Sequence, residues 1–165
     1  KTQRPWASIG KPSNRNRNLI SSLQLDPLKM EQLCLEREER YQQTQLTDIR
    51  YETLHTTDAE YFLIAFGSAA RICSKTVDLA RQQGIKLGLI RPITLWPFPA
   101  EAIRNITHNA KGIMVVELNS GQMIDDVRLA THNNTAIYHY GRLGGVVFTP
   151  DEILTSFTNI FLHQK

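Results

Sequence analysis

The 165 residues allow one ordinary domain plus an extension, and 41% hydrophobic against 21% charged residues is enough to bury a core. No apolar run approaches the roughly 20 residues that span a bilayer, and the polar, basic start lacks the apolar segment of a secretory leader. Only two cysteines are present, Cys34 and Cys73, too few for this chain alone to hold zinc or an iron–sulfur cluster, and free thiols point to the cytoplasm.

The net charge of +3 is unevenly spread. Residues 1–25 carry Lys1, Arg4, Lys11, Arg15 and Arg17 with no acid and no periodicity, which reads as an extended arm. Such an arm suits nucleic acid or an acidic protein, yet it has no aromatic beyond Trp6 and no nucleic-acid-binding module, so nucleic acid is the weaker partner. The first residue is Lys1 rather than methionine, and the sequence is expected to be a fragment of a longer protein. Residues 1–57 are read as arm and linker helix, and 58–165 as the globular domain.

Residues 26–50 read as a helix, with Asp26 as cap and Pro27 in the first turn. Met30, Leu33, Cys34, Arg37 and Tyr41 share one face, a stripe too narrow to hold a helix without a partner surface.

Tyr61-Phe-Leu-Ile-Ala-Phe66 is a continuous apolar run of the kind buried on both faces of a parallel sheet. It stops at Gly67-Ser68. A helix over 69–83 follows, with Ala69, Ile72, Cys73, Thr76, Val77 and Ala80 on its inner face and Gly84 as its stop. Cys73 is expected to be a buried free thiol. Ile85–Ile90 is the second strand, and Arg91-Pro-Ile-Thr-Leu-Trp-Pro-Phe-Pro99 the loop after it. A short helix from Pro99 buries Ala102, Ile103 and Ile106. Ile113–Leu118 is the third strand, followed by a turn and a helix with Ile124, Val127 and Ala130 inward. Thr135–His139 is the fourth. Thr149-Pro-Asp-Glu152 is a capping box opening a last helix, whose inner residues are Ile153, Leu154, Phe157, Ile160 and Phe161. Strict alternation of four strands with helices predicts a three-layer α/β/α sandwich on a mostly parallel sheet.

Candidate chemistry lies at the strand ends, where open α/β sheets take ligands or partners. Ser68 opens a helix, either as its cap or as part of an anion cradle, without the glycine spacing of a nucleotide-binding loop. Glu117, Asn119 and Gln122 follow the third strand. A buried Glu117 there caps a loop, pairs with Arg91 or Arg142, or meets a ligand. Arg142, in Gly141-Arg-Leu-Gly-Gly145, is an anion or partner contact. Trp96 and Phe98 make the 91–99 loop unusually apolar, which predicts an exposed interface patch. The five histidines share no metal spacing, Asp125-Asp126 favour a helix dipole, and no catalytic constellation is found.

Phe66-Gly-Ser-Ala-Ala-Arg71, Gly88-Leu-Ile-Arg-Pro-Ile-Thr-Leu-Trp-Pro-Phe98 and Val115-Val-Glu-Leu-Asn-Ser-Gly-Gln-Met123 resemble the alpha subunit of 2-oxoacid:ferredoxin oxidoreductases, of the 2-ketoisovalerate or 2-oxoglutarate type. Asp126-Val-Arg-Leu-Ala130 and Tyr140-Gly-Arg-Leu-Gly-Gly145 match it further along, and Gly10-Lys-Pro and Asn18-Leu-Ile-Ser-Ser-Leu23 resemble the segment after its pyrimidine-binding domain. The resemblance implies a transketolase C-terminal-like fold. It pairs an Arg-Pro loop (Arg91-Pro92) with an acidic turn (Glu117 to Asn119), in which Leu118 stands where a second acid is common. It further implies an enzyme that converts a 2-oxoacid to an acyl-CoA and passes electrons to ferredoxin, with thiamine diphosphate, magnesium, iron–sulfur clusters and CoA held elsewhere. The implied partners are the preceding pyrimidine-binding domain and the beta and gamma/delta subunits, with ferredoxin reached indirectly. No cofactor is expected on this chain alone, and the isolated chain is expected to be inactive. The alternative is a stand-alone module that binds through its basic arm.

Overall fold

Apolar runs that alternate with amphipathic helices are realised as a doubly wound sheet. The computed structural model describes residue 16 and residues 21–131 and 135–162. The charges expected on the arm, from Lys1 to Arg17, lie outside the described residues. The chain divides into two units, Lys1–Tyr41 and Gln42–Lys165.

Helix α1 (Pro27–Thr47) starts where Asp26 accepts from the Leu28 amide at 3.0 Å and Pro27 takes the first turn. None of its residues is buried.

The second unit holds strands β1 (Tyr51–Leu54), β2 (Tyr61–Ala65), β3 (Leu87–Pro92), β4 (Gly112–Glu117) and β5 (Ile137–Gly141), in the sheet order β1-β3-β2-β4-β5. β2, β3, β4 and β5 are parallel to their neighbours, and β1 lies antiparallel on β3. Helices α2 (Gly67–Gln82), α3 (Ala100–Ile106), α4 (Met123–Ala130) and α5 (Pro150–Phe161) complete the unit. Successive side chains of each strand point to opposite faces. Leu63, Ala65, Met114 and Val116 therefore join α2 and α5 in one core, while Phe62, Ile64, Ile113 and Val115 join α3 and α4 in the other. These are the three layers expected.

α5 is fastened by an aromatic cluster, with Phe157 edge-on to Tyr61 at 5.4 Å and Phe161 edge-on to Tyr138 at 5.3 Å. Its capping box is present in both directions, the Glu152 amide donating to Thr149 Oγ1 and the Thr149 amide donating to Glu152. Cys73 is fully buried, and burial pushes its thiol up to about 12.

Four details correct the sequence reading. The sheet has a fifth strand, β1, in the segment read as linker. Its register Tyr51↔Pro92 and Glu52↔Arg91 carries β3 through Arg91-Pro92, which were expected to be loop. Pro92 closes the strand, where a missing amide is tolerated. β5 runs two residues beyond the expected end, because Val116 and Glu117 of β4 pair with Tyr140 and Gly141. Ser68 does not cap α2, since the helix already begins at Gly67 and Phe66 is the extended residue before it.

Candidate functional site at the carboxyl ends of the strands

β2, β3, β4 and β5 end on one side of the unit. β2 leads through α2 to β3, whereas β4 leads through α4 to β5 on the other side, so the connections diverge between the ends of β2 and β4. A crevice at such a divergence is where open α/β sheets bind. The neighbouring turns at that point carry Ser68 and Glu117 to Gln122.

Glu117 ends β4 and is fully buried. Its Oε1 accepts from the Met123 amide at 2.8 Å, the Gln122 amide at 3.3 Å and Asn119 Nδ2 at 3.2 Å, and its Oε2 accepts from the Ile124 amide at 3.2 Å. These backbone donors are the otherwise unpartnered amides at the start of α4, which favour a negative charge. Four donors offset the cost of taking a carboxylate out of water. Asn119 Oδ1 accepts from the Gly121 amide at 2.7 Å and closes the turn. The Arg142 amide donates to the Glu117 carbonyl at 3.3 Å, tying in the loop after β5.

His139 stands beside this group, its Nε2 3.7 Å from Glu117 Oε2 and without a hydrogen-bond partner. Sequence reasoning passed over His139 because it shares no metal spacing with the other histidines. Its only signal is the strand register, Val115↔His139, which brings it two residues short of Gly141 next to Glu117.

Of the expected site residues, the structure brings Glu117, Asn119 and the Gln122 backbone together. It does not bring Arg91 to them, because Arg91 pairs with Glu52 at 2.8 Å on the β1 side of the sheet. The Arg142 side chain does not reach Glu117 either and bonds Glu152 at 2.5 Å. Ser68 is exposed in the first turn of α2. Trp96 is 53% exposed, whereas Phe98 is half-buried against the α3–α4 core. The segments that follow β3, β4 and β5 also expose Ile93, Leu95, Leu118, Leu143, Val146 and Val147, from 41% for Leu118 to 61% for Leu143.

Residues 59–153 match the family described as pyruvate:ferredoxin oxidoreductase core domain II, more than half of the chain. The chain belongs to that family. Among its relatives, ketoisovalerate oxidoreductase subunit VorB of Methanothermobacter marburgensis is 36% identical over 94% of this chain and 44% of its own length. 2-Oxoglutarate synthase subunit KorA of the same organism is 34% identical over 60% of this chain and 26% of its own. This core domain II chain thus spans less than half the length of the curated relatives it matches. Among solved structures, 2-oxoglutarate:ferredoxin oxidoreductase from Magnetococcus marinus superposes with a TM-score of 0.69 at 23% identity, over 82% of this chain and 24% of that one. A split-gene transketolase superposes with a TM-score of 0.57 at 10% identity, over 70% and 42%. Both are likenesses of fold.

The family match gives the stand-alone module with a nucleic-acid-binding arm no support. Among the described residues no three histidine, cysteine or acidic side chains converge as a metal site. Cys73 is buried, with its thiol held protonated in the neutral range. No described helix is long and apolar enough to cross a membrane.

Proposed function

We propose that this chain is a non-catalytic domain, with its preceding linker, of the alpha subunit of a cytoplasmic 2-oxoacid:ferredoxin oxidoreductase, of the 2-ketoisovalerate or 2-oxoglutarate type. The whole enzyme oxidatively decarboxylates a 2-oxoacid, forms an acyl-CoA and reduces ferredoxin. Thiamine diphosphate supplies the carbanion chemistry when bound. It lies, with magnesium, the iron–sulfur clusters and CoA, on other parts of the assembly. Residues 1–57 form the linker and 58–165 the domain proper, with β1 as the linker's tie to the sheet.

The observation that carries this reading is the match along nearly the whole chain to ketoisovalerate oxidoreductase subunit VorB, a protein of more than twice the span. The exposed apolar rim at the strand ends supports an interface role. Leu95, Trp96, Leu118 and Leu143 are the contacts toward the pyrimidine-binding domain and the beta and gamma/delta subunits. Ser68 and Gln122 are the polar groups at their margin. Glu117 and Asn119 act from within, by fixing the turn after β4, while Arg91 and Arg142 hold β1 and the start of α5 through Glu52 and Glu152.

Replacement of the matching segment of VorB by this chain tests the reading. The hybrid is expected to assemble and to reduce ferredoxin with 2-ketoisovalerate or 2-oxoglutarate. A hybrid that folds but fails to recruit the other subunits overturns it. Titration calorimetry of the chain alone with thiamine diphosphate and magnesium is expected to give no saturable heat. Micromolar binding there overturns the non-catalytic assignment.

A further inference from the structure

A second concave site lies at the β1 margin of the sheet, away from the Glu117 turn. Glu52 and Leu54 share one face of β1, as Leu89 and Arg91 do on β3, because side chains alternate along a strand. The register Glu52↔Arg91 and Leu54↔Leu89 stacks these into a charged rung above an apolar one. Across from them α2 presents Ala70, Arg71 and Ser74, the last two one turn apart on a shared face. The three elements enclose an open cavity of about 420 Å³, within the range that admits a small organic molecule.

The chemistry of this cavity is unbalanced. Leu89 and Ala70 are buried and give it an apolar floor. Arg91 is paired with Glu52 at 2.8 Å. Arg71, by contrast, has neither a hydrogen bond nor an ion pair among the described residues, and the Ser74 hydroxyl has no partner either. Of the other polar side chains of α2, Thr76 and Arg81 are engaged, whereas Ser68, Lys75, Asp78 and Gln82 resemble Arg71 in having no hydrogen bond or ion pair among the described residues. Thr76 Oγ1 donates to the Ile72 and Pro150 carbonyls at 3.3 Å, and Arg81 holds Asp58 at 2.7 Å. Two arginines against one glutamate leave the lining with a single positive charge.

We infer that this cavity binds a small monocarboxylate with an apolar body. The carboxylate takes the fork of Arg71 and the Ser74 hydroxyl, and the hydrocarbon lies on Leu54, Ala70 and Leu89. A planar guanidinium bonds a carboxylate through two parallel N–H groups. One excess positive charge complements one negative charge, and a more highly charged phosphate meets the Glu52 carboxylate at the same mouth. The site stands independently of the function proposed above.

Amide chemical shifts of the full chain, followed by NMR during titration with hexanoate, test it. Saturable shifts are expected at Leu54, Arg71, Ser74 and Arg91 with millimolar affinity. None is expected with hexanamide, and weaker binding is expected with inorganic phosphate. Arg71→Gln, at an exposed and unpartnered side chain, is expected to leave the fold intact and weaken hexanoate by about tenfold, as loss of a charged hydrogen-bond pair does. Ser74→Leu, which fills the mouth but keeps Arg71, is expected to abolish the shifts. Equal binding of hexanamide, tighter binding of phosphate, or affinity unchanged in both variants overturns the assignment. Shifts produced only by a blocked glutamate peptide also overturn it, by assigning the cavity to a protein side chain.

Discussion

The His139 ring occupies the space that Gly141 leaves open. A Cβ on Gly141 would stand inside van der Waals contact of His139 Cε1 and of the Asn119 carbonyl oxygen. The end of β5 and the turn after β4 can therefore approach only where residue 141 has no side chain. Gly141→Ala is expected to cost about 2 kcal/mol, the scale of an overpacked core, because the Asn119 backbone has to shift. Urea unfolding measures it, and a change below about 0.5 kcal/mol would show that the turn yields freely.

Glu117 holds the same turn by its charge. Glu117→Gln keeps the shape but turns an amide group toward amide donors, and at least one backbone N–H at the start of α4 loses a charged acceptor. A loss of about 3 kcal/mol is expected, with slowed-exchange protection disappearing first at Met123 and Ile124. Full protection of those two amides in the variant would refute the arrangement.

Cys73 and Cys34 should be distinguishable by reagent. Cys34 is exposed and Cys73 is buried, so a thiol probe on the folded chain is expected to label one cysteine, and both after denaturation. The pH dependence follows. The folded thiol is raised from an ordinary 9.0 to about 12, so its contribution is intact below pH 9 and falls away between those values, as only the unfolded chain loses the proton. The slope is about 1.4 kcal/mol per pH unit. Cys73→Ala is expected to lack that part of the alkaline loss, and identical alkaline slopes for both chains would contradict it.

The start of α5 offers a simpler test. The Thr149 amide, and after it the Arg142 charge, hold the Glu152 carboxyl below the usual glutamate range. Its contribution is present above the ordinary glutamate value and is lost on acidification through the lowered one. Thr149→Ala is expected to cost about 1 kcal/mol, by thermal unfolding at neutral pH. An unchanged midpoint would mean that the aromatic packing of Phe157 and Phe161 alone fixes the helix.

That capping box was legible because all its parts lie within four residues, and so were the central strands, whose apolar runs admit few other readings. β1 was not legible. Tyr51, Glu52 and Thr53 are exposed, and what makes them a strand is a partner about forty residues later. The same non-local pairing hid the extension of β3 through Pro92. At the site, Glu117 could be located from its strand end, but its partners could not. Apart from the Asn119 side chain they are backbone amides, which leave no mark in the residue types, and His139 comes beside it only through the register of β5.

The sheet order has a consequence for synthesis. β2 is among the most apolar segments and the first parallel strand to emerge, yet it ends between β3 and β4. Both its edges stay open until Leu87–Pro92 and then Gly112–Glu117 have been made. Long-range parallel pairing closes slowly and leaves such edges prone to association. During translation Phe62-Leu-Ile-Ala65 is therefore the stretch of this chain most in need of shelter, and crowded ribosomes or fast overexpression should drive the nascent protein into aggregates through that strand.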